Sequence, residues 1–222
     1  MGRNAAAPTG DPSTPLMVAV NVSARQIEAS GFPDDMAAAL GRNGVSANCL
    51  EVEITERVLL QEATLTLAVL DRLKEIGVTL AIDDFGTGYS ALAYLKRFPF
   101  DVLKVDRTFV NDVTLDAEDA SLTSAMIAMA HALGLKVVGE GVETTEQKNF
   151  LVSQNCDVMQ GYLFSRPLPA DDFLAFAARY EPDSYAPVRA QGQRRPSDRS
   201  PDDRPSDQPK IIRFPSGHAD DA

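Results

Sequence analysis

No apolar run in these 222 residues approaches the ~20 that a bilayer-spanning helix needs, and the N-terminus lacks the basic-then-apolar pattern of a secretory signal. Cysteine is scarce as well. Cys49 and Cys156 are the only two, far apart and without Cys-x-x-Cys spacing, so neither a zinc site nor a disulfide framework is indicated. That usage fits the reducing cytosol, and the chain reads as cytoplasmic. Basic charge is short: 21 Lys and Arg face 32 Asp and Glu, for a net charge of −11. A bare electrostatic grip on DNA or RNA needs the opposite balance. An acidic protein can still bind phosphates if a cation sits between the two.

What is present is the composition of an ordinary globular protein, 44% hydrophobic and 24% charged. Residues 1–15 carry Ala, Pro, Gly and Thr without periodicity and read as a flexible lead. From Glu181 onward the last 42 residues hold half of the 14 prolines, in runs such as "RRPSDRSPDDRPSDQP". Such a segment buries too little apolar surface to offset its ordering entropy and is expected to be disordered. Its one apolar patch, "KIIRFP", reads as incidental, with a docking motif as the alternative. The fold is thus expected within residues 16–180.

Within that body a β-branched strand is followed by a helical stretch, again and again. The expected strands are "LMVAVNVS", "CLEVEITE", "VTLAIDDF", "DVLKVDRTF", "LKVVGEGVE" and "DVMQGYLF". Between them, "VLLQEATLTLAVLDRLKEIG" puts Leu59, Ala63, Leu67, Leu70 and Leu73 near one helical face. "SLTSAMIAMAHALG" is a second helix, with Gly134 as its C-terminal cap and Met126 and Met129 at core spacing. Strands alternating with helices imply βαβ crossovers and a parallel sheet, either open or closed into a barrel.

The polar residues decide between these. Asn21, Glu53, Asp83 with Asp84, Lys104, Glu140 and Gln160 each fall in or at the end of a different strand. An open sheet gathers its site at one switch point, whereas a barrel collects every strand end into one ring on its C-terminal face. Six consecutive strands with a polar end therefore favour an α/β barrel.

That ring is rich in hard oxygen donors and has no usable histidine, since His131 reads as a helix-surface or core residue. Such a donor set suits Mg²⁺ or Mn²⁺ rather than zinc or copper. The stretch "LAIDDFGTGYSAL" sets two carboxylates side by side where an apolar strand ends. Adjacent residues of a regular strand point to opposite faces, but a bend at the strand end turns both into one mouth. Divalent charge then relieves their repulsion. Lys104 fits beside them as a cation for a phosphate oxygen or as a partner orienting a water. Two cations roughly 3.5–4 Å apart can clamp the attacking and leaving oxygens of a phosphodiester.

Singly, each residue has a plainer reading. Asn21 could be a turn residue, Lys104 and Asp106 a structural ion pair, Glu140 and Glu143 helix N-terminal charges. Glu51 reads as part of a solvated sheet face.

In order along the chain, "VAVNVSARQ", "LEVEITE", "IDDFGTGYSALAYLKRFPFDVLKVDRTFV", "VVGEGVET" and "MQGYLFSRPLP" strongly resemble the EAL domain family, over about residues 16–175. The resemblance implies a modified TIM barrel and metal-dependent hydrolysis of cyclic-di-GMP to the linear dinucleotide, with cyclic-di-GMP as partner. By position it implies Asn21, Glu53, Asp83 and Asp84 as ligands of a two-metal site. It implies Lys104 near the lytic water, and Glu140 and Gln160 completing the metal and water network. Asp106 and Tyr162 are candidate substrate-binding residues, although Tyr162 and Phe164 could equally fill the core. Glu56, Gly86, Thr87 and Gly88 match a loop and its anchor that couple the site to dimerisation, which implies a homodimer.

The sequence also departs from the pattern. It contains no Glu-Ala-Leu segment, whose glutamate is a metal ligand in the family. The expectation is an incomplete barrel of about six of eight strands, truncated before "VAVNVS". Catalysis should then be impaired, and an inactive binding or interaction module is the alternative.

Overall fold

Four short aliphatic runs, "LEVEIT", "TLAIDDF", "VLKV" and "KVVG", are buried at nearly every position. That is the behaviour of parallel strands covered on both faces. The computed structural model describes residues 16–29, 31–59, 63–87, 95–179 and 210–211. In it these runs are β2 (Leu50–Thr55), β3 (Thr79–Phe85), β4 (Val102–Val105) and β5 (Lys136–Gly139). They are flanked by β1 (Leu16–Asn21) and β6 (Val158–Met159). Each strand pairs in parallel with the next, so six strands in chain order form the incomplete barrel expected from the sequence. A two-residue strand, β7 (Lys210–Ile211), lies at the start of "KIIRFP". The rest of the expected tail, and residues 1–15, lie outside the described residues.

The chain divides into two compact units, Met17–Pro167 with Ile211–Ala222, and Met1–Leu16 with Leu168–Lys210. The first carries the helices α1 (Ala24–Glu28), α2 (Phe32–Asn43), α3 (Glu56–Leu59), α4 (Ala63–Ile76), α5 (Arg107–Asn111), α6 (Ala117–Ala132) and α7 (Thr145–Ser153). The second contains α8 (Ala170–Arg179), with Asp171 and Asp172 in its first turn and Arg179 in its last, signs that complement the helix dipole.

Several elements differ from their sequence-based bounds, each for a local reason. "DVLKVDRTF" stops being a strand at Val105 because the Asp106 carboxylate accepts hydrogen bonds from Thr108 N (2.8 Å) and Thr108 Oγ1 (2.6 Å) and starts α5. "DVMQGYLF" is a strand only at Val158–Met159. Beyond it the chain turns about Gly161, with Phe164 N donating to Gly161 O at 3.1 Å. The helical stretch from Val58 is two helices, α3 and α4, whose apolar stripe holds at Leu70 and Leu73, both fully buried. Gly134 does close α6: it takes φ +78°, and Leu135 N returns to Ala130 O at 3.0 Å.

Period-two alternation then organises the inner face of the sheet. Ala81, Val102 and Val138 are buried together, with Val158 packed on them, as a small cluster separate from the main core. Two residues further along the same four strands come Asp83, Lys104, Glu140 and Gln160. An apolar floor therefore underlies a polar ring. The other face packs against helices through Ile54, Leu80, Ile82, Leu103 and Val137 among others. On the first strand Val18 is 56% exposed, while Val20, Val158 and Leu163 are partly buried.

The opposite ends of the strands are fastened by carboxylates of another kind. Asp101 accepts from Leu80 N (2.9 Å) and pairs with Lys74 (2.7 Å). Asp157 accepts from Val137 N (2.8 Å) and meets His131 Nε2 (2.8 Å). Of the two readings of His131, helix surface or core, the surface one holds: it is exposed and its ring meets an aspartate.

At Gly161 a Cβ would run into the backbone of Val142. That backbone cannot give way freely, since Val142 N donates to Gln160 O (2.9 Å) and Val142 O accepts from Leu163 N (3.0 Å). Gly161→Ala should therefore destabilise the domain by about 2–3 kcal/mol, read as a lowered urea midpoint at unchanged slope. A wild-type midpoint would show that this close approach is not a constraint.

Candidate functional site

The site begins with an irregularity in β3. Ile82 pairs with Leu103 and Phe85 with Val105, so β3 spends three steps where β4 spends two. The extra residue is a β-bulge, a device that re-aims a side chain beside a site. Asp84 sits in it with φ +53°. Thr87 folds back over the bulge, its Oγ1 donating to Asp84 O at 2.9 Å. The two aspartates thus share one mouth because of a left-handed residue inside the strand, not because the strand has ended as the sequence suggested. Carboxylate oxygens of Asp83, Asp84 and Glu140 lie within 4.8 Å of one another.

Lys104 occupies the centre of this acidic group. Its side chain is only 1% exposed, and Nζ lies 2.6 Å from Glu140 Oε1, 2.8 Å from Asp83 Oδ1 and 2.9 Å from Glu53 Oε1. Burial alone would lower the pKa of this ammonium. The charges of Glu140, Asp83 and Glu53 outweigh that and hold it above the usual lysine range. Asp106 is not among the ion-pair partners of Lys104; its Oδ1 serves the α5 cap instead. Burial pushes the Glu140 carboxyl up to about 7, against the lowering influence of Lys104 and with further raising by Asp83 and Glu53.

The remaining residues fall around this centre. Asn21 is exposed and stands opposite Glu53 in the β1–β2 register. Glu140 follows β5 and Gln160 follows β6 by one residue, and Gln160 N donates to Gly139 O at 2.9 Å. Glu56 is buried, and its Oε2 accepts from Gly86 N at 3.1 Å, so a side chain from the end of β2 holds the loop after β3. A Cβ at Gly86 would meet Phe109 and Met126, and its φ of +100° favours glycine in any case. Gly88 lies outside the described residues. Tyr162 is 43% exposed, while Phe164 packs against the core.

Two features escaped the sequence reading. Arg166 places its guanidinium 4.4 Å from the centroid of the Tyr162 ring; the four-residue spacing in "YLFSR" was the available signal. Glu51, read as part of a solvated face, is fully buried. It lies two residues before Glu53 on β2, opposite Ala19 of β1 and Thr79 of β3.

The donor set is hard oxygen, clustered and half enclosed, and it fits a Mg²⁺- or Mn²⁺-class cation. Comparison with known proteins agrees with this geometry. The EAL domain matches residues 4–167. The chain belongs to the EAL domain family. Cyclic di-GMP phosphodiesterase NbdA of Pseudomonas aeruginosa is 47% identical over 178 residues, covering 80% of this chain and 23% of that protein. The chain therefore spans about a quarter of the length of this relative. A solved structure of the MucR phosphodiesterase of Pseudomonas aeruginosa in complex with c-di-GMP superposes with a TM-score of 0.68 at 43% identity, covering 71% of this chain and 64% of that one. Klebsiella pneumoniae BlrP1, solved with manganese and cy-diGMP, gives 0.64 at 33% identity, covering 68% and 39%. No helix among the described residues of this EAL domain is long and apolar enough to cross a membrane.

The raised pKa of Glu140 carries a consequence for the metal-free EAL domain. Between the ordinary carboxylate range and about 7 the folded state holds a proton that the unfolded chain has released. Stability from this group is thus present at low pH and lost as pH rises through about 7. In EDTA, the thermal midpoint should fall between pH 5.5 and 7.5, and Glu140→Gln should remove most of that slope. An unchanged slope in the variant would assign the pH dependence to other groups.

Proposed function

We propose that this domain binds cyclic-di-GMP together with Mg²⁺ or Mn²⁺ in the cytoplasm and hydrolyses it to the linear dinucleotide. The observation that carries this reading is the β3 bulge, which brings Asp83 and Asp84 into one acidic mouth with Glu140. The names of the relatives, NbdA and MucR among them, support it.

In this reading Asn21, Glu53, Asp83 and Asp84 hold the cations, and Glu140 and Gln160 complete the network around them. When bound, the cations supply charge stabilisation for the phosphodiester and lower the pKa of a water. Lys104 contributes a fixed positive charge beside the carboxylates, placed to orient that water or to neutralise a phosphate oxygen. Tyr162, with Arg166 stacked on it, offers a flat cationic-backed face at the mouth for a guanine base. Asp106 has one oxygen engaged in its cap and would use the other towards substrate. The Glu56–Gly86 hydrogen bond fixes the root of the loop through Thr87 and Gly88, the element we assign to communication across a homodimer.

The absence of a Glu-Ala-Leu segment favours a second reading, in which these 222 residues bind the nucleotide or a protein partner without turning it over. Slow hydrolysis is the outcome we expect of this polypeptide, with one carboxylate ligand fewer than the resemblance implies.

Isothermal titration should show Mn²⁺ binding that Asp83→Asn abolishes. Chromatography of the nucleotide products should show slow conversion of cyclic-di-GMP, reduced about a hundredfold or more by Lys104→Ala. Nucleotide binding with no linear product under any divalent cation would select the second reading. Equal Mn²⁺ heats for wild type and Asp83→Asn would overturn the metal assignment.

A further inference from the structure

An ammonium has three N–H groups. In Lys104 three carboxylates, one from each of three different strand ends, lie within 2.9 Å of Nζ. The group is already inside the acidic mouth, and its side chain is almost wholly enclosed. Negative charge concentrated there, in a medium of low dielectric, would be costly without a compensating cation. We propose that Lys104 is the resident counter-ion of the metal-free cage, and that a divalent cation binds in competition with it rather than into a vacant set of ligands. The inference rests on the metal-binding reading above and adds to it a sign: removing the lysine charge should strengthen metal binding while weakening the metal-free fold.

The physical argument is repulsion at short range. Glu53 and Asp83 are assigned as metal ligands, and each has an oxygen within 2.9 Å of Nζ. A cation held by the same carboxylates lies a few ångströms from a fixed positive charge, where like charges interact strongly unless water screens them. To relieve that, Lys104 must give up part of its triple contact, and this cost is subtracted from the affinity of the metal. The lysine therefore holds the strand ends together before loading and becomes available to another anion only once a metal has taken its place. In the proposed function, a phosphate oxygen of the substrate would be such an anion.

The test compares wild type with Lys104→Met, similar in length and uncharged, and with Lys104→Gln as a second neutral variant. Each is measured by Mn²⁺ titration calorimetry and by thermal melting in EDTA and in excess Mn²⁺. Both variants should melt well below wild type in EDTA and gain more from Mn²⁺, with a dissociation constant at least tenfold lower. Should a variant be unfolded in EDTA, Mn²⁺-driven recovery of its circular dichroism supports the competition, and failure to recover overturns it. Mn²⁺ binding by wild type that neither variant improves would sink the proposal while leaving the metal site intact. Absence of Mn²⁺ binding from wild type and both variants would sink both. A merely structural lysine would lower every melt without tightening the metal.

Discussion

One extra residue in β3, relative to its neighbour β4, sets the chemistry of this domain. In a regular strand Asp83 and Asp84 would face opposite sides of the sheet, one among the helices and one inside the barrel. The bulge, with Asp84 in the left-handed region and Thr87 bonded back across it, turns both toward the same mouth. The positions of Lys104, Glu140 and Gln160 then follow from ordinary alternation, two residues beyond Val102, Val138 and Val158. The apolar floor beneath them serves the ring above it. It excludes water from below, which strengthens every charge interaction in the mouth and makes an unpaired carboxylate there costly.

Much of this was legible in the sequence because two periodicities were strong. Strands alternating with helices and a polar residue at each strand end were enough for a parallel, incomplete barrel and for the clustering of polar side chains at one end of it. The order and length of the motifs were enough for the family. Legibility failed where a side chain overrode a pattern. Asp106 looks like a further inward residue of a strand that continues to Phe109, yet its carboxylate caps a helix and ends the strand at Val105. "DVMQGYLF" reads as eight strand residues, but the approach of Gly161 to Val142 allows only two.

Glu51 is the more instructive miss. Alternation correctly put it on the same face as Glu53, and the usual expectation for a charged pair spaced by two is a solvated face. On a barrel strand that face is the interior, so the same spacing means burial. The strand pattern alone does not distinguish these cases; the closure of the neighbouring strands around it does. The bulge was likewise invisible as a bulge, since one inserted residue changes no composition and shifts the period only locally.

Two groups of carboxylates stand at opposite ends of the sheet. At the strand starts, Asp101 and Asp157 accept backbone N–H groups from Leu80 and Val137; Asp101 pairs with Lys74, and Asp157 lies 2.8 Å from His131 Nε2. At the strand ends, Asp83, Glu53 and Glu140 gather around one ammonium. The carboxylates at the strand starts fasten backbone N–H groups, whereas those at the strand ends are tied to one side-chain ammonium, so the two groups are free to change separately over evolutionary time. A lineage that substituted the ring would still inherit strands anchored at their starts, a shell open to use as a receptor or a scaffold.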